Sequence, residues 1–336
     1  MNETGKRNLL GPGNCCLAAA VCLVGIVILL IIFVPMLLKR NEERFLRAEA
    51  AKVKADSTGH LWLHNLKVIE YLLHDAECKE KITVVDVSGD SIPDISDKRL
   101  QSLKHFPHLK TIYLEYARNC DSFLEGIQGM TSLEELQFGR AGVSAKGMRY
   151  IIGFPNLKRL SFDERTDITC LDALKGHTGI ESLSLGEYST STDRLAVIKT
   201  LPNLRKLSLN LALNDGEELD LHGLPKLEEL CLGDSVATDN ALAGLEEMKN
   251  LTSLDCEGHK ITDAGLMHLR NNPKLKQLRL MWQPITDAGL KYLKGMNALQ
   301  KIDLQLTNVT QQGVKNLQQA LPNCTIEWRP PTIDKP

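Results

Sequence analysis

Aliphatic residues recur along this chain with a near-constant period. A skeleton L-x-x-L-x-L begins at Leu109, Leu133, Leu157, Ile180, Leu204, Leu227, Leu251, Leu275 and Leu299. Successive starts lie 24, 24, 23, 24, 23, 24, 24 and 24 residues apart, a phase that chance does not keep. A degenerate copy begins at Ile82 (ITVVDV), and a last strand can be read in Cys324–Trp328. The third to seventh positions alternate as a half-buried strand does. Positions four and six point inward; three, five, seven and eight point out. The second half reads G-L-x-x-L, with apolar residues three apart, which predicts a short helix. Pro107, Pro155, Pro202, Pro225, Pro273 and Asn297 then break it before the next strand. Such a unit cannot bury its apolar side alone. Stacked, the units give parallel strands on one face and helices on the other.

Six letters, ITDAGL, occur twice, at Ile261–Leu266 and Ile285–Leu290. The register makes them one structural unit built twice. Ile261 and Ile285 turn inward. Thr262 and Thr286 are placed to cap a helix, with Asp263 and Asp287 in its first turn, where negative charge suits the dipole. Gly265 and Gly289 allow close backbone packing, and Leu266 and Leu290 enter the core.

With these motifs the chain resembles a leucine-rich repeat protein of the ribonuclease-inhibitor-like class. Its ITDAGL units are similar to the repeats of bacterial membrane-anchored or exported leucine-rich repeat proteins and of F-box-type ubiquitin-ligase receptors. The resemblance covers about residues 81–328. It implies an α/β solenoid of about ten repeats, strands on the concave face and helices on the convex face, used as a binding scaffold. One departure stands out. The ninth repeat position, often Asn or Cys in the family, is Ser235, His259, Gln283 and Thr307 here. The carbonyls that an Asn ladder would satisfy need other partners.

The chain before the repeats reads differently. Residues 1–14 are a short polar tail, and residues 15–38 are 24 residues without a charge, which predicts a single transmembrane helix. The run is longer than a signal-peptide core and ends in Lys39 and Arg40. Basic residues after it favour a cytoplasmic repeat domain, whereas a short basic tail before one apolar helix suits an exported body; we take the exported side. Residues 39–57 read as a charged stalk. Over 58–80, Leu61, Leu66, Ile69, Leu72 and Leu73 at helical spacing predict a capping helix. That helix would carry His60, His64, His74 and Cys78, a spacing that a metal could use but that a plain capping helix explains better. Residues 329–336 form a flexible tail.

Candidate chemistry is scarce. The chain has no G-x-S-x-G, no G-x-x-x-x-G-K-[ST] and no H-E-x-x-H. We therefore expect no catalytic residue, no cofactor and no metal. The nine cysteines are odd in number, irregularly spaced and without a C-x-x-C pair, so they read as free thiols and not as a disulfide framework. The register turns Cys256 into the core and Cys231 out of it.

Net charge is −2, which excludes a general electrostatic nucleic-acid binder. The outward strand positions are more acidic than the rest. They hold eleven carboxylates and five cationic side chains, a balance of −6. Tyr113 and Tyr116 at one end, and Arg279, Met281 and Trp282 at the other, add the residue types that dominate interface hot spots. The candidate protein-binding residues are these five with Glu115, Asp163, Glu187, Asp234, Asp255 and Glu257. The expected partner is another protein with a basic patch, with membrane contact through residues 15–38 and no small-molecule substrate. A ubiquitin-ligase substrate receptor and a structural envelope component are the alternatives.

Overall fold

The computed structural model describes residues 34–55, 58–63, 67–87, 98–118, 120–162, 168–190, 192–213, 220–233 and 236–330. The chain divides into two compact units, Met1–Ser57 and Thr58–Pro336.

In the first unit the described residues form one helix, α1 (Val34–Ala55). Ala, Glu, Lys and Arg, all good helix formers, dominate it. Glu49 and Lys52, three residues apart, pair at 2.5 Å. The expected transmembrane helix is corrected here. Among the described residues no helix is long and apolar enough to cross a membrane. Of the predicted span only Val34–Leu38 is described, and it opens a helix that runs on through Lys39, Arg40, Glu42, Glu43 and Arg44. Residues 15–33 lie outside the described residues. The single-pass assignment, the exported side and the membrane contact drawn from that span go with it.

The second unit is built on one parallel sheet of twelve strands in strict sequence order. These are β1 (His60–Trp62), β2 (Val84–Val87), β3 (Thr111–Glu115), β4 (Glu135–Gly139), β5 (Arg159–Phe162) and β6 (Ser182–Thr190). They continue as β7 (Lys206–Leu213), β8 (Glu229–Leu232), β9 (Ser253–Cys256), β10 (Gln277–Arg279), β11 (Lys301–Asp303) and β12 (Thr325–Glu327). Each L-x-x-L-x-L falls where the alternation requires: Ile112, Leu114, Leu254, Cys256, Leu278 and Leu280 are buried. From the other side Leu266, Leu269, Leu290 and Leu293 close the core. Phe138 and Phe162 stack between neighbouring repeats with centroids 5.4 Å apart. The parallel sheet with helical segments on its other side is the solenoid that the periodicity implies.

The helical segments do not keep to one helix type. Cys120–Gly126, Ala145–Ile151 and Gln311–Ala320 are α-helical, whereas the ITDAGL units give 3₁₀ turns, Gly265–Asn271 and Gly289–Tyr292. A 3₁₀ turn rises about 2.0 Å per residue against about 1.5 Å for an α-helix, so it crosses the same distance with fewer residues.

The capping segment also differs from its helical spacing. His60–Trp62 is a strand, with His60, Leu61 and Trp62 paired to Val84, Val85 and Asp86. The letters HLWL satisfy a period of two as well: Leu61 and Leu63 are buried and Trp62 is exposed. The open edge of β2 then selects the strand. Two short helices follow, α2 (Lys67–His74) and α3 (Ala76–Lys81), the latter capped by Asp75, which accepts from the Cys78 N–H at 3.2 Å. His60 and His74 thus sit on different elements, and His64 lies outside the described residues. No group of three or more metal-ligating side chains occurs among the described residues.

The missing Asn ladder is replaced locally. Gln283, buried, donates to the Cys256 carbonyl at 3.3 Å and accepts from the Ile261 N–H at 2.9 Å. Thr307, also buried, donates to the Leu304 carbonyl at 2.7 Å. A second ladder runs where the sequence suggested only helix breakers. Asn156, Asn203 and Asn250 each donate to a carbonyl 25 residues earlier, those of Thr131, Thr178 and Pro225.

Candidate functional site

Parallel strands in register place one side chain per repeat in a row across the sheet. The fifth-position row begins Trp62, Asp86, Tyr113, Gln137. It passes through Ser161, Ser184 and Ser208 and ends in Cys231, Asp255, Arg279, Asp303 and Glu327. The row is aromatic and acidic at one end, small and polar in the middle, and charged at the other.

Much of the acidity is neutralised within the sheet. Arg159 pairs with Glu135 at 2.8 Å and Lys206 with Glu229 at 2.7 Å. Arg279 holds Asp255 at 2.8 Å and lies 3.9 Å from Asp303. Burial still pushes the Asp255 carboxyl above its ordinary range, with Arg279 opposing and Glu257 and Asp303 adding to the rise. The Glu115 and Glu257 carboxylates make no hydrogen bond or ion pair among the described residues, which leaves them free for a ligand. Asp163 and Asp234, and the side chain of Glu187, lie outside the described residues.

Position eight has its own geometry. Tyr116, Arg140, Trp282 and Leu306 all occupy it, with φ of 57°, 50°, 68° and 59°. This left-handed region is unfavourable for side chains of such size. Arg140 donates to the Tyr116 hydroxyl at 3.1 Å, and its guanidinium lies 5.5 Å from the ring centroid. His259 meets Trp282 edge to face at 6.0 Å, and its Nδ1 lies 2.9 Å from the Trp282 carbonyl oxygen.

Among the described residues, two grooves open on this face. One, of about 550 Å³, is lined by His60, Trp62, Asp86, Tyr113, Glu115 and Gln137 and by residues of β4 to β6. The other, of about 640 Å³, is lined by Ser208, Asn210, Cys231, Glu257, His259 and Trp282 with their neighbours. The structure therefore brings Tyr113 together with Glu115, and Glu257 with Trp282. Asp255 lines a smaller depression with Cys231, of about 320 Å³. Tyr116, Arg279 and Met281 line none of the three.

His60 and Trp62 are the site residues that periodicity missed, because a helical reading of 58–80 removes them from the sheet. Their signal was the alternation H-L-W-L. Trp62 stacks on His60 at 4.6 Å, and His60 lies 6.2 Å from the Tyr113 ring. Burial raises the Tyr113 hydroxyl pKa, with Glu135 and Asp86 adding to the rise, so the phenol keeps its proton as a donor.

A family profile described as Leucine Rich repeat matches residues 247–269 and 271–294, the stretch that holds both ITDAGL units. Those residues are leucine-rich repeats. No curated protein matches it. Among solved structures, the repeat protein is similar to an internalin, inlF, from Listeria monocytogenes, at 17% identity and a TM-score of 0.51, over 76% of each chain. TLR13, solved as a complex with ssRNA13, gives 16% identity and a TM-score of 0.48, over 74% of this chain and 36% of that one. A protein from Bacteroides fragilis gives 17% and 0.44, over 76% of each chain. At such identities the likeness is one of fold alone. Leucine-rich repeats serve in general as binding scaffolds, and the repeat protein shares that architecture.

Proposed function

We propose that this leucine-rich repeat protein binds another protein along the outward face of its sheet, through the two grooves. The observation that carries the reading is the placement of exposed aromatics. Trp62 is 54% exposed, Tyr116 40% and Trp282 42%, all on this face or its rim. Aromatic anchors beside charged groups are the hot-spot pattern of protein interfaces. Glu115 and Glu257 lie in the same grooves, so the complementary surface is basic. The ion pairs within the sheet narrow the earlier expectation. The electrostatic attraction is local to the grooves and not spread over the whole face.

A ligase-receptor role needs an adaptor-binding module before the repeats and finds no support among the described residues. The test is recovery of bound proteins by wild type and by Tyr113→Ala/Trp282→Ala. Loss of the same partners from the variant supports the reading, and equal recovery removes it.

A further inference from the structure

One oxygen of the Asp86 carboxylate has no hydrogen-bond partner among the described residues. The residue is 7% exposed, and its Oδ1 is buried without a hydrogen-bond partner. Its Oδ2 lies 3.9 Å from His60 Nε2, beyond hydrogen-bond range, and that nitrogen is itself buried without a partner. A buried carboxylate oxygen left this way is costly, and among the described residues it accepts no helix-capping or loop hydrogen bond. The register places it between two aromatics in the same row, Trp62 on one side and Tyr113 on the other. All three line the first groove, together with the unpaired Glu115.

A neutral ligand would leave the carboxylate with no closer charge partner than the His60 imidazole at 3.9 Å. A cation compensates the negative charge, and aromatic faces beside the carboxylate attract a cation further. Among protein cations the guanidinium suits this place best. It is planar and stacks on rings. It is more weakly hydrated than an ammonium, so it loses less on entering a site this buried, and its fork of donors fits a carboxylate oxygen and its surroundings together.

We infer that Asp86, flanked by Trp62 and Tyr113, is the anchor for an arginine side chain of the partner protein. Asp86 accepts from the guanidinium, the exposed Trp62 ring lies against its plane, and Glu115 attracts it at the mouth of the groove. This rests on the reading of the outward face as a protein-binding surface and names the chemistry of one contact.

The test uses the full chain and fluorescein-labelled Gly-Gly-Arg-Gly-Gly, followed by anisotropy. Controls carry citrulline or lysine in place of arginine. Citrulline keeps the shape and removes the charge. The arginine peptide should bind saturably, with the citrulline and lysine peptides each at least about tenfold weaker. Asp86→Asn and Trp62→Ala should each weaken the arginine peptide by a similar factor. Trp62 is exposed, so its variant keeps the fold, and a thermal melt of both variants checks this. Equal binding of the arginine and citrulline peptides overturns the proposal, as does binding unchanged in both variants. Lysine binding as tightly as arginine overturns the guanidinium assignment. N-acetyl-arginine amide in excess, which carries the same side chain, should displace the peptide, and no displacement overturns the assignment to the arginine side chain. Failure here with partner recovery still dependent on Tyr113 and Trp282 rejects only the anchor. Recovery indifferent to those residues rejects the broader reading, whatever the peptides do.

Discussion

Asp263 of one repeat holds Thr286 of the next: the carboxylate accepts the Thr286 N–H at 2.8 Å through Oδ1 and its hydroxyl at 2.6 Å through Oδ2. The Thr286 hydroxyl in turn accepts the Ala288 N–H at 3.2 Å. Asp239 with Thr262, and Asp287 with Thr310, repeat the same pair of bonds. Asp121 accepts from both the N–H and the hydroxyl of Ser144 in the same way. The Asp of ITDAGL therefore joins successive repeats; the expected place in the first turn of its own helix is corrected, because the 3₁₀ turns begin at Gly265 and Gly289 and hold no acidic residue in their first turn.

This clamp predicts coupled stabilities. Asp263→Ala should cost about 1.5–3 kcal/mol, the range for hydrogen bonds to a charged group, and Thr286→Ala about 1–2 kcal/mol for the bonds its hydroxyl makes with Asp263 and the Ala288 N–H. Because they share the same bonds, the double variant should cost less than the sum by at least about 0.5 kcal/mol. Urea denaturation of the four proteins measures this. Strict additivity would mean that the two residues act independently.

The glycine of the motif follows from the same carboxylate. A Cβ on Gly289 would lie 2.4 Å from Asp263 Oδ1, and one on Gly265 would lie 2.2 Å from Asp239 Oδ1. Gly289→Ala should therefore destabilise the wild type by about 1–3 kcal/mol, the usual cost of overpacking. In an Asp263→Ala background the same substitution should cost markedly less, with only the end of the flexible Leu266 side chain, Cδ1 at 3.0 Å, left to give way. A thermal melt in both backgrounds distinguishes this clash from a backbone requirement for glycine, which would persist in both.

Trp282 is held at φ 68°, so its side chain is kept at this position against the backbone preference. Trp282→Gly should relieve the left-handed cost of about 1–2 kcal/mol and offset the lost contact with His259. The expected stability is equal to wild type within about 1 kcal/mol. Trp282→Val, β-branched, should be clearly less stable. Chemical denaturation ranks the three, and a glycine variant as unstable as the valine one would show that packing decides this position.

The thiols should divide by register. Cys78, Cys120, Cys256 and Cys324 are buried and Cys231 is exposed. Burial pushes the Cys120 thiol up to about 12; the Cys231 residue is exposed, but its sulfur is partly desolvated in the depression it shares with Asp255, and both effects raise its thiol above the usual value. Less thiolate is then present at a given pH, so alkylation of Cys231 near pH 8 should be slower than for a free thiol and should climb as pH rises. The buried four should react only on unfolding. Pulsed maleimide labelling read by mass spectrometry checks both statements, and fast labelling of Cys256 in the native protein would contradict the register.

How far the sequence reached depends on the range of each interaction. The period placed Leu278, Leu280, Ile261 and Cys256 inside and Tyr113, Cys231 and Arg279 outside, because alternation within a strand is a local property. It did not place Trp62, because HLWL fits two periods and only the edge of β2, some twenty residues on, decides between them. Nor did it show that Asp263 bonds Thr286, since the partner is 23 residues away and the same Asp also makes sense as a helix-start residue. The count of −6 along the face counted charges one by one and overlooked Arg279 with Asp255 and Lys206 with Glu229, pairs that form only when neighbouring strands align. The membrane span rested on hydropathy in residues 15–38, and the described part of that run belongs to the charged helix α1.

The central claim is that a partner protein is read by the outward strand face. Hydroxyl-radical footprinting of the full chain, alone and with a protein that it recovers, tests this side chain by side chain. Oxidation of Trp62, Tyr113, Tyr116 and Trp282 should fall severalfold in the complex, while Tyr150 and Tyr292 on the helical side keep their rates. Protection of Tyr150 and Tyr292 with the four face residues unchanged would contradict the account.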